Sequence, residues 1–262
     1  MTPAAIIMTA HRARGPRGEY LLRTLESLET AWSHYPYPGP MTLYCGIDYG
    51  RDQSDIEYFL RTLESLENDA AWLYRGLAVH CHTHRMGPVP NIRATMESAC
   101  RGAAEVFLRV ADDVVLSSDI FALLEWYAGR PDRDDYLGLW PLTYSPDNSR
   151  PEVITTSRGD DAVTARQTGE RFHMEGMMYS RGAWETHLEP NFTGQVGEHA
   201  MTRYMDANPG LRCLSSLANR AIHIGHVGMC DPAWSRRVYG GMELVRPVSG
   251  SQDFTYQEAD HG

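Results

Sequence analysis

The sequence predicts an α/β fold with a mostly parallel central sheet flanked by helices. Two observations support this fold class. Short apolar runs typical of buried strands alternate with stretches of helical periodicity through the first half of the chain. Polar residues and glycines follow these runs, as they do at the carboxyl ends of parallel strands. Such an alternation is typical of β–α–β units, in which helices cover both faces of a sheet.

In chain order, the first half is expected to hold strands and helices in turn. The strands are expected at 4–9, at 41–47, within 71–82 and at 106–110. The helices are expected at 19–32, 54–66, 91–102 and 117–126. Residues 21–29 and 59–67 differ only at their first position, and we interpret both as amphipathic helices that cover the sheet.

The second half of the chain alternates less regularly. Further strands are expected at 136–142, 172–180 and 211–217, helices at 181–188 and 195–208, and a short apolar segment at 221–227. Between them, 143–171 is long, polar and weakly periodic. A stretch of this kind in a compact domain is usually functional or disordered, unless it carries short strands of its own.

The composition is that of an ordinary globular protein. The chain has 262 residues, of which 42% are hydrophobic and 22% charged, and no apolar run reaches the length of a membrane span. The apolar start is short and its positive charges follow it, which is unlike a secretory signal. The five cysteines are odd in number and lack C-x-x-C spacing, so we expect reduced thiols and a cytoplasmic location.

The charged residues exclude several kinds of chemistry. A net charge of −10 argues against a protein whose whole surface binds nucleic acid. All 24 basic residues are arginine, which excludes a Schiff-base lysine and a phosphate loop of the Gly-Lys-Ser/Thr type. Any cationic phosphate binding must therefore come from arginine.

Polar side chains gather where the expected strands end. Asp112 and Asp113 form a carboxylate pair after the fourth strand, and Asp48 follows the second. Further polar residues lie at the end of the first expected strand and after the third: Thr9, His11, Arg12, Asn91 and Arg93. A hard divalent ion takes one or two carboxylates and completes its shell with water and substrate phosphates. This edge therefore predicts a nucleotide-diphosphate site with Mn²⁺ or Mg²⁺, and the alternative for the Asp pair alone is a solvated turn.

The residues around this pair resemble a known family. The segment 85–94, Arg-Met-Gly-Pro-Val-Pro-Asn-Ile-Arg-Ala, followed by 106–116, is similar to the centre of GT-A-fold, nucleotide-sugar-dependent glycosyltransferases of the family-2 kind. The opening segment 4–12 with its following leucine-rich helix resembles that superfamily as well. The similarity covers 4–120 well and the remainder loosely.

The resemblance implies roles for the first-half residues. Asp48 would contact the nucleobase or ribose, and Thr9, His11, Arg12, Asn91 and Arg93 would belong to the donor pocket. Asp113 matches the last carboxylate of the Asp-x-Asp motif and would bind the metal, while Asp112 could bond the ribose. The first acidic position of the motif is Ala111 here, which puts strict metal dependence in doubt.

The resemblance also implies roles in the second half. His226, in the segment 222–228, would complete the metal shell. Glu198, in the segment 197–203, would be the catalytic base, although His199 stands where the family has an Asp. Glu175 and Gly176 would lie on the acceptor side. Trp140 and Tyr144 could stack there on a sugar or base, and the alternative is that these aromatics belong to the core.

We therefore expect a glycosyltransferase that moves a sugar from a nucleotide-diphosphate donor, a UDP-sugar by the resemblance, to an acceptor hydroxyl. One domain over 1–262 would comprise a nucleotide-sugar-binding half at 1–120, an acceptor half at 121–246 and a polar tail at 247–262. A nucleotidyltransferase and a catalytically degenerate binding domain are the alternatives. The acceptor stays open between a small molecule, a glycan and modified DNA, and a phage-encoded enzyme would act in the host cytoplasm.

Overall fold

The structure is a computed structural model that describes most of the sheet and its helices. The described residues are 1–10, 16–48, 57, 61, 78–81, 86–141, 176–193, 197–211, 213–215 and 220–224. At 16–19, 78–81, 198 and 215 only the backbone is described. The predicted long polar stretch and the polar tail lie outside these residues.

Four parallel strands form the first half of the main sheet. They are β1 (Ala4–Ala10), β2 (Met41–Ile47), β3 (Ala78–Cys81) and β4 (Val106–Ala111). The central strand β1 pairs in parallel with β2 and β4, and β2 pairs in parallel with β3. Every residue of β1 and β4 is buried. A strand that is covered on both faces has a continuous apolar sequence, and this pattern predicted β1 and β4.

The second half of the main sheet is mixed in direction. It contains β6 (Leu139–Trp140), β7 (Met178–Ser180) and β8 (Leu214–Ser215), and the strand order is β3-β2-β1-β4-β7-β6-β8. The strand β7 is antiparallel to both β4 and β6, while β8 is parallel to β6. The expected α/β architecture with a mostly parallel sheet is therefore confirmed, with two antiparallel pairings.

A second, two-stranded sheet lies beside the first. In it β5 (Val114–Leu116) pairs antiparallel with β9 (Ala221–His223). The sequence predicted no strand at 114–116, which precede the helix expected at 117–126. The partner strand is over a hundred residues away in the chain, so local periodicity could not reveal the pairing.

The helices beside the described strands are α1 (Pro16–His34), α2 (Pro88–Cys100), α3 (Ile120–Ala128), α4 (181–191) and α5 (Gly197–Ala207). A short 3₁₀-helix, Arg133–Asp135, follows α3. Within α4 the turn Trp184–Leu188 is a π-helix, and Pro190, which has no N–H, follows it. The helix α2 starts three residues earlier than expected, because Pro88 and Pro90 are tolerated in a first turn, where N–H groups have no helical partner. Of the helix expected at 54–66, the structure describes Glu57 and Arg61, which form an ion pair of 3.1 Å at the i, i+4 spacing.

The helices bury apolar stripes against opposite faces of the sheet. Leu21, Leu25 and Leu28 of α1 belong to a cluster with Ile6, Met8 and the alternate residues of β4. Val89, Ile92 and Met96 of α2 belong to a second cluster with Ala5, Ile7 and Phe107. Burying one such side chain fully contributes about 1.5–3 kcal/mol, so these two stripes fix both helices on the sheet.

Gly46 is the point of closest approach between β2 and α2. An added Cβ there would collide with Thr95 Oγ1 and Asn91 Oδ1. Both partners are held in place, since Asn91 Nδ2 donates to the Gly46 carbonyl (3.1 Å) and Thr95 Oγ1 donates to the Asn91 carbonyl (2.8 Å). The position therefore requires glycine.

Gly46→Ala is expected to lower the free energy of unfolding by about 1–3 kcal/mol, the usual cost of overpacking. Denaturant unfolding with a common m-value would measure it. Gly210→Ala is the matched control, because a Cβ at Gly210 meets nothing within 4 Å. Equal stabilities of the two variants would contradict the close approach.

Candidate functional site

The strands β1, β2 and β4 end at the same edge and are tied together there. Thr9 is opposite Ala111 in the register of β1 and β4. The Asp112 N–H donates to the Thr9 carbonyl (3.2 Å), and the Asp48 N–H donates to the Ala10 carbonyl (2.9 Å). Asp48 and Asp112 are thereby brought to one carboxyl edge, as the strand order predicted. Ligands of open α/β sheets bind at such edges.

Asp48 fixes the start of α2. Its carboxylate accepts from the Met86 N–H at 2.6 Å and from the Gly87 N–H at 3.1 Å, and the residue is 2% exposed. Gly87 has a φ of +86°, a conformation that glycine adopts readily. The carboxylate therefore holds Met86 and Gly87 beside the carboxyl edge of the sheet. The contact of Asp48 with a nucleoside stays a prediction.

The predicted donor-pocket residues of α2 have different surroundings. Asn91 is 2% exposed and bonds β2 through Gly46, so it anchors the helix. Arg93 is half-buried on the same helix. Their contact with a donor stays a prediction, as do the roles of His11 and Arg12, which lie outside the described residues.

The Asp112–Asp113 turn joins β4 to β5, and β9 brings a histidine to it. Asp113 Oδ2 lies 3.1 Å from His223 Nε2, and the Ile224 N–H donates to the Asp113 carbonyl (2.7 Å). His223 stands opposite Val114 in the β5–β9 register. The resemblance implied His226 as the metal-binding histidine, and His226 lies outside the described residues. The structure shows the other histidine of the same His-x-x-His segment beside Asp113.

This carboxylate–imidazole pair has a spacing that suits two ligands of one metal ion. Bonds of about 2.1 Å at right angles place neighbouring ligand atoms about 3 Å apart. Within the described ranges, no group of three or more His, Cys, Asp or Glu side chains is arranged to hold a metal. The two side chains therefore fit part of a shell, the rest of which water and phosphate oxygens could supply.

A buried ion pair anchors the segment that carries His223. Arg220 Nε donates to Asp119 Oδ2 at 2.8 Å, and both side chains are nearly buried. Ser117 Oγ donates to Asp119 Oδ1 at 2.5 Å, and the Ser117 N–H donates to the Arg220 carbonyl at 2.8 Å. The Arg220 N–H in turn donates to the Pro141 carbonyl at 2.7 Å. These bonds connect β9 with the start of α3 and the end of β6.

The acceptor-side residues are only partly described. Trp140 is 7% exposed and packs in the α2 core cluster, which favours the core role over stacking on a ligand. Gly176 has a φ of +72°, and a Cβ there would lie 2.9 Å from Ala221 Cβ and 3.1 Å from Pro141 Cγ. Gly176 therefore lets β9 pass close to β6. Tyr144 and Glu175 lie outside the described residues.

The proposed base Glu198 lies in the first turn of α5, and only its backbone is described. Among the described elements, α5 packs against the end of α4. A contact at 3.0 Å between His187 Nδ1 and Tyr204 Oη joins these two helices, and burial lowers the pKa of His187. The role of Glu198 as catalytic base stays a prediction.

Arg181 has a structural role that the sequence did not reveal. Its guanidinium donates to the carbonyls of Cys100 (2.7 Å), Gly102 (2.8 Å) and Ala104 (2.6 Å). It therefore connects the end of α2 to the start of β4. With a further bond from Nε to the Ala104 carbonyl (3.0 Å), all three nitrogens of the guanidinium are bonded to backbone.

The fold of the chain is similar to that of TarS from S. aureus. A structure of TarS residues 1–349 matches 82% of this chain at 13% sequence identity, with a TM-score of 0.51, over 58% of that TarS chain. A second TarS structure matches 91% of this chain at 12% identity, with a TM-score of 0.50, over 42% of its length. TarS is a glycosyltransferase.

The chain shares the fold of this glycosyltransferase. Identities of 12–13% show this likeness at the level of the fold alone. The chain spans between 42% and 58% of the TarS chains that it matches. The sequence matches no protein-family model and no curated protein sequence. None of the described helices combines the length and apolar character needed to cross a membrane.

Proposed function

We propose that the chain is a GT-A-type glycosyltransferase that transfers a sugar from a nucleotide-diphosphate donor, in particular a UDP-sugar, to an acceptor hydroxyl. The observation that carries the proposal is the Asp113–His223 pair, with Asp112 beside it, at the carboxyl edge of the sheet. The glycosyltransferase fold supports it, because in such sheets the ligand lies beyond the ends of these strands.

Asp113 and His223 would hold Mn²⁺ or Mg²⁺, which would offset the charge of the leaving diphosphate. Asp113 supplies a hard oxygen ligand, and His223 takes the place that the resemblance gave to His226. Asp112, 7% exposed next to the Thr9 carbonyl, would bond the ribose, and Arg93 would face the donor from α2. Glu198 would accept the proton of the acceptor hydroxyl as that oxygen attacks the anomeric carbon.

A nucleotide-binding domain without turnover is the second candidate. Ala111 at the first acidic position of the motif and His199 beside the proposed base favour it. Nucleotide binding without release of sugar would distinguish it from the enzyme. A nucleotidyltransferase is less well supported, since 11–18 carries arginine and glycine but no lysine.

A thermal-shift panel tests the donor proposal. It would compare UDP-, GDP-, dTDP- and CMP-sugars with and without Mn²⁺, and it would include UDP-GlcNAc, a ligand of one TarS structure. We expect a UDP-sugar to raise the Tm, and to raise it further with Mn²⁺, because a ligand that binds only the folded state stabilises it. If no nucleotide sugar shifts the Tm, the donor site is contradicted.

A further inference from the structure

Arg109 is a buried cation beside the proposed donor site. It lies in the middle of β4, is 7% exposed, and shares the α2 face of the sheet with Phe107. Its Nη2 donates to Thr9 Oγ1 at 3.3 Å, so the guanidinium reaches toward the carboxyl edge where β1 ends. Arginine cannot lose its proton in a protein, so the charge is permanent.

The guanidinium is incompletely bonded. Within the part of the chain that the structure describes, Arg109 Nε and Nη1 have no hydrogen-bond partner. Its neighbours on this face include the aromatic rings of Phe107 and Tyr179. Burial raises the pKa of Tyr179, and the positive charge of Arg109 opposes that rise. A buried charge without a counter-charge costs several kcal/mol.

This cost distinguishes Arg109 from the other buried arginine of the described chain, Arg220. Arg220 has the carboxylate of Asp119 at 2.8 Å. Among the residues that the structure describes, no carboxylate forms an ion pair with Arg109. An anion that binds beside the guanidinium would therefore offset the cost of burying its charge. Thr9 Oγ1 accepts a hydrogen bond from Nη2 and does not neutralise the charge.

We propose that Arg109 binds an oxyanion of the nucleotide-sugar donor through its Nε and Nη1 N–H groups, beside Thr9 at the end of β1. The inference rests on the proposed function, because it assigns the anion to the donor of that same site. Two groups share the required chemistry: the diphosphate and the carboxylate of a uronic-acid sugar. Arg109 would then position the donor from the α2 face, while Asp112 and Asp113 lie on the turn that follows β4.

Arg109→Met tests the assignment, because it keeps the length of the side chain and removes its charge. Replacing an uncompensated buried charge by an apolar group is often neutral or stabilising. We therefore expect an unchanged or higher Tm together with at least tenfold weaker binding of the anion. Arg23→Met, at an exposed position of α1, is the control and should change neither quantity. A lower Tm with unchanged anion binding would show a purely structural arginine and overturn the proposal.

Calorimetric titrations of both variants and the wild type would identify the anion. Equal losses of affinity for UDP and UDP-glucose in Arg109→Met assign the diphosphate. A loss confined to UDP-glucuronate assigns the sugar carboxylate. Unchanged affinity for all three ligands overturns the proposal.

Binding of pyrophosphate distinguishes a failure of this inference from a failure of the proposed function. The wild type is measured first. If nucleotide sugars fail to bind while pyrophosphate raises the Tm of the wild type but not of Arg109→Met, the donor proposal fails and the oxyanion site stands. Should Arg109→Met not fold, Arg109→Gln would serve in its place. A wild type that binds neither pyrophosphate nor any of the nucleotides contradicts the site itself.

Discussion

Asp119→Ala is expected to lower the free energy of unfolding by about 3–5 kcal/mol, the usual cost of leaving one partner of a buried ion pair alone. The carboxylate is bonded to Arg220 Nε at 2.8 Å, and Arg220 is 5% exposed. Without Asp119, the buried guanidinium of Arg220 would lose this carboxylate. Ser117 Oγ would also lose its acceptor. Urea unfolding followed by circular dichroism would measure the change.

Two comparisons make this prediction specific. Glu57→Ala removes one partner of an exposed pair and should cost less than about 1 kcal/mol, because solvent screens such pairs. The double variant Asp119→Leu with Arg220→Met should recover much of the lost stability, since no charge is then left buried. A cost for Asp119→Ala as small as that for Glu57→Ala would contradict the buried pair.

Asp113→Asn is expected to reduce turnover of the nucleotide sugar by about 100-fold or more. A ligand that helps offset the charge of the leaving diphosphate supplies several kcal/mol in the transition state, and each 1.36 kcal/mol is tenfold in rate. His223→Gln should reduce turnover in the same direction, since Nε2 lies 3.1 Å from the carboxylate of Asp113. Release of free UDP from the donor sugar that the thermal-shift panel identifies would measure both.

Asp134→Asn provides the control for these variants. Asp134 is an exposed acid in the short helix Arg133–Asp135, so its loss changes the net charge by the same amount. We expect wild-type turnover from it. Undiminished turnover in Asp113→Asn would remove Asp113 from the proposed site.

The sequence predicted the first half of the sheet well, because β1 and β4 are buried on both faces and are therefore continuous apolar runs. The strand at 41–47 was predicted with its observed bounds, and β1 and β4 each extend one residue beyond the prediction. The convergence of Asp48 and Asp112 on one edge followed from the strand order alone. These features depend on apolar runs and on the alternation of strands with helices, both of which are visible in the local sequence.

The contacts made by the second half depend on pairings between distant residues. Nothing local distinguishes His223 from His226, and only the register of β9 on β5 places His223 beside Asp113. Likewise the pairing of Asp119 with Arg220 joins residues a hundred positions apart. Asn91 was expected in the donor pocket, and Trp140 either on the acceptor side or in the core. The described contacts of Asn91 include the backbone of β2, and Trp140 packs in the core. A polar or aromatic residue alone does not reveal which of these environments it occupies.

Anomalous scattering from crystals grown with UDP and Mn²⁺ tests the central claim most directly. We expect a manganese peak within bonding distance of both Asp113 Oδ2 and His223 Nε2, with the ion also in contact with the diphosphate of UDP. UDP bound elsewhere on the chain, or UDP bound at this edge without a manganese peak between the two side chains, would contradict it.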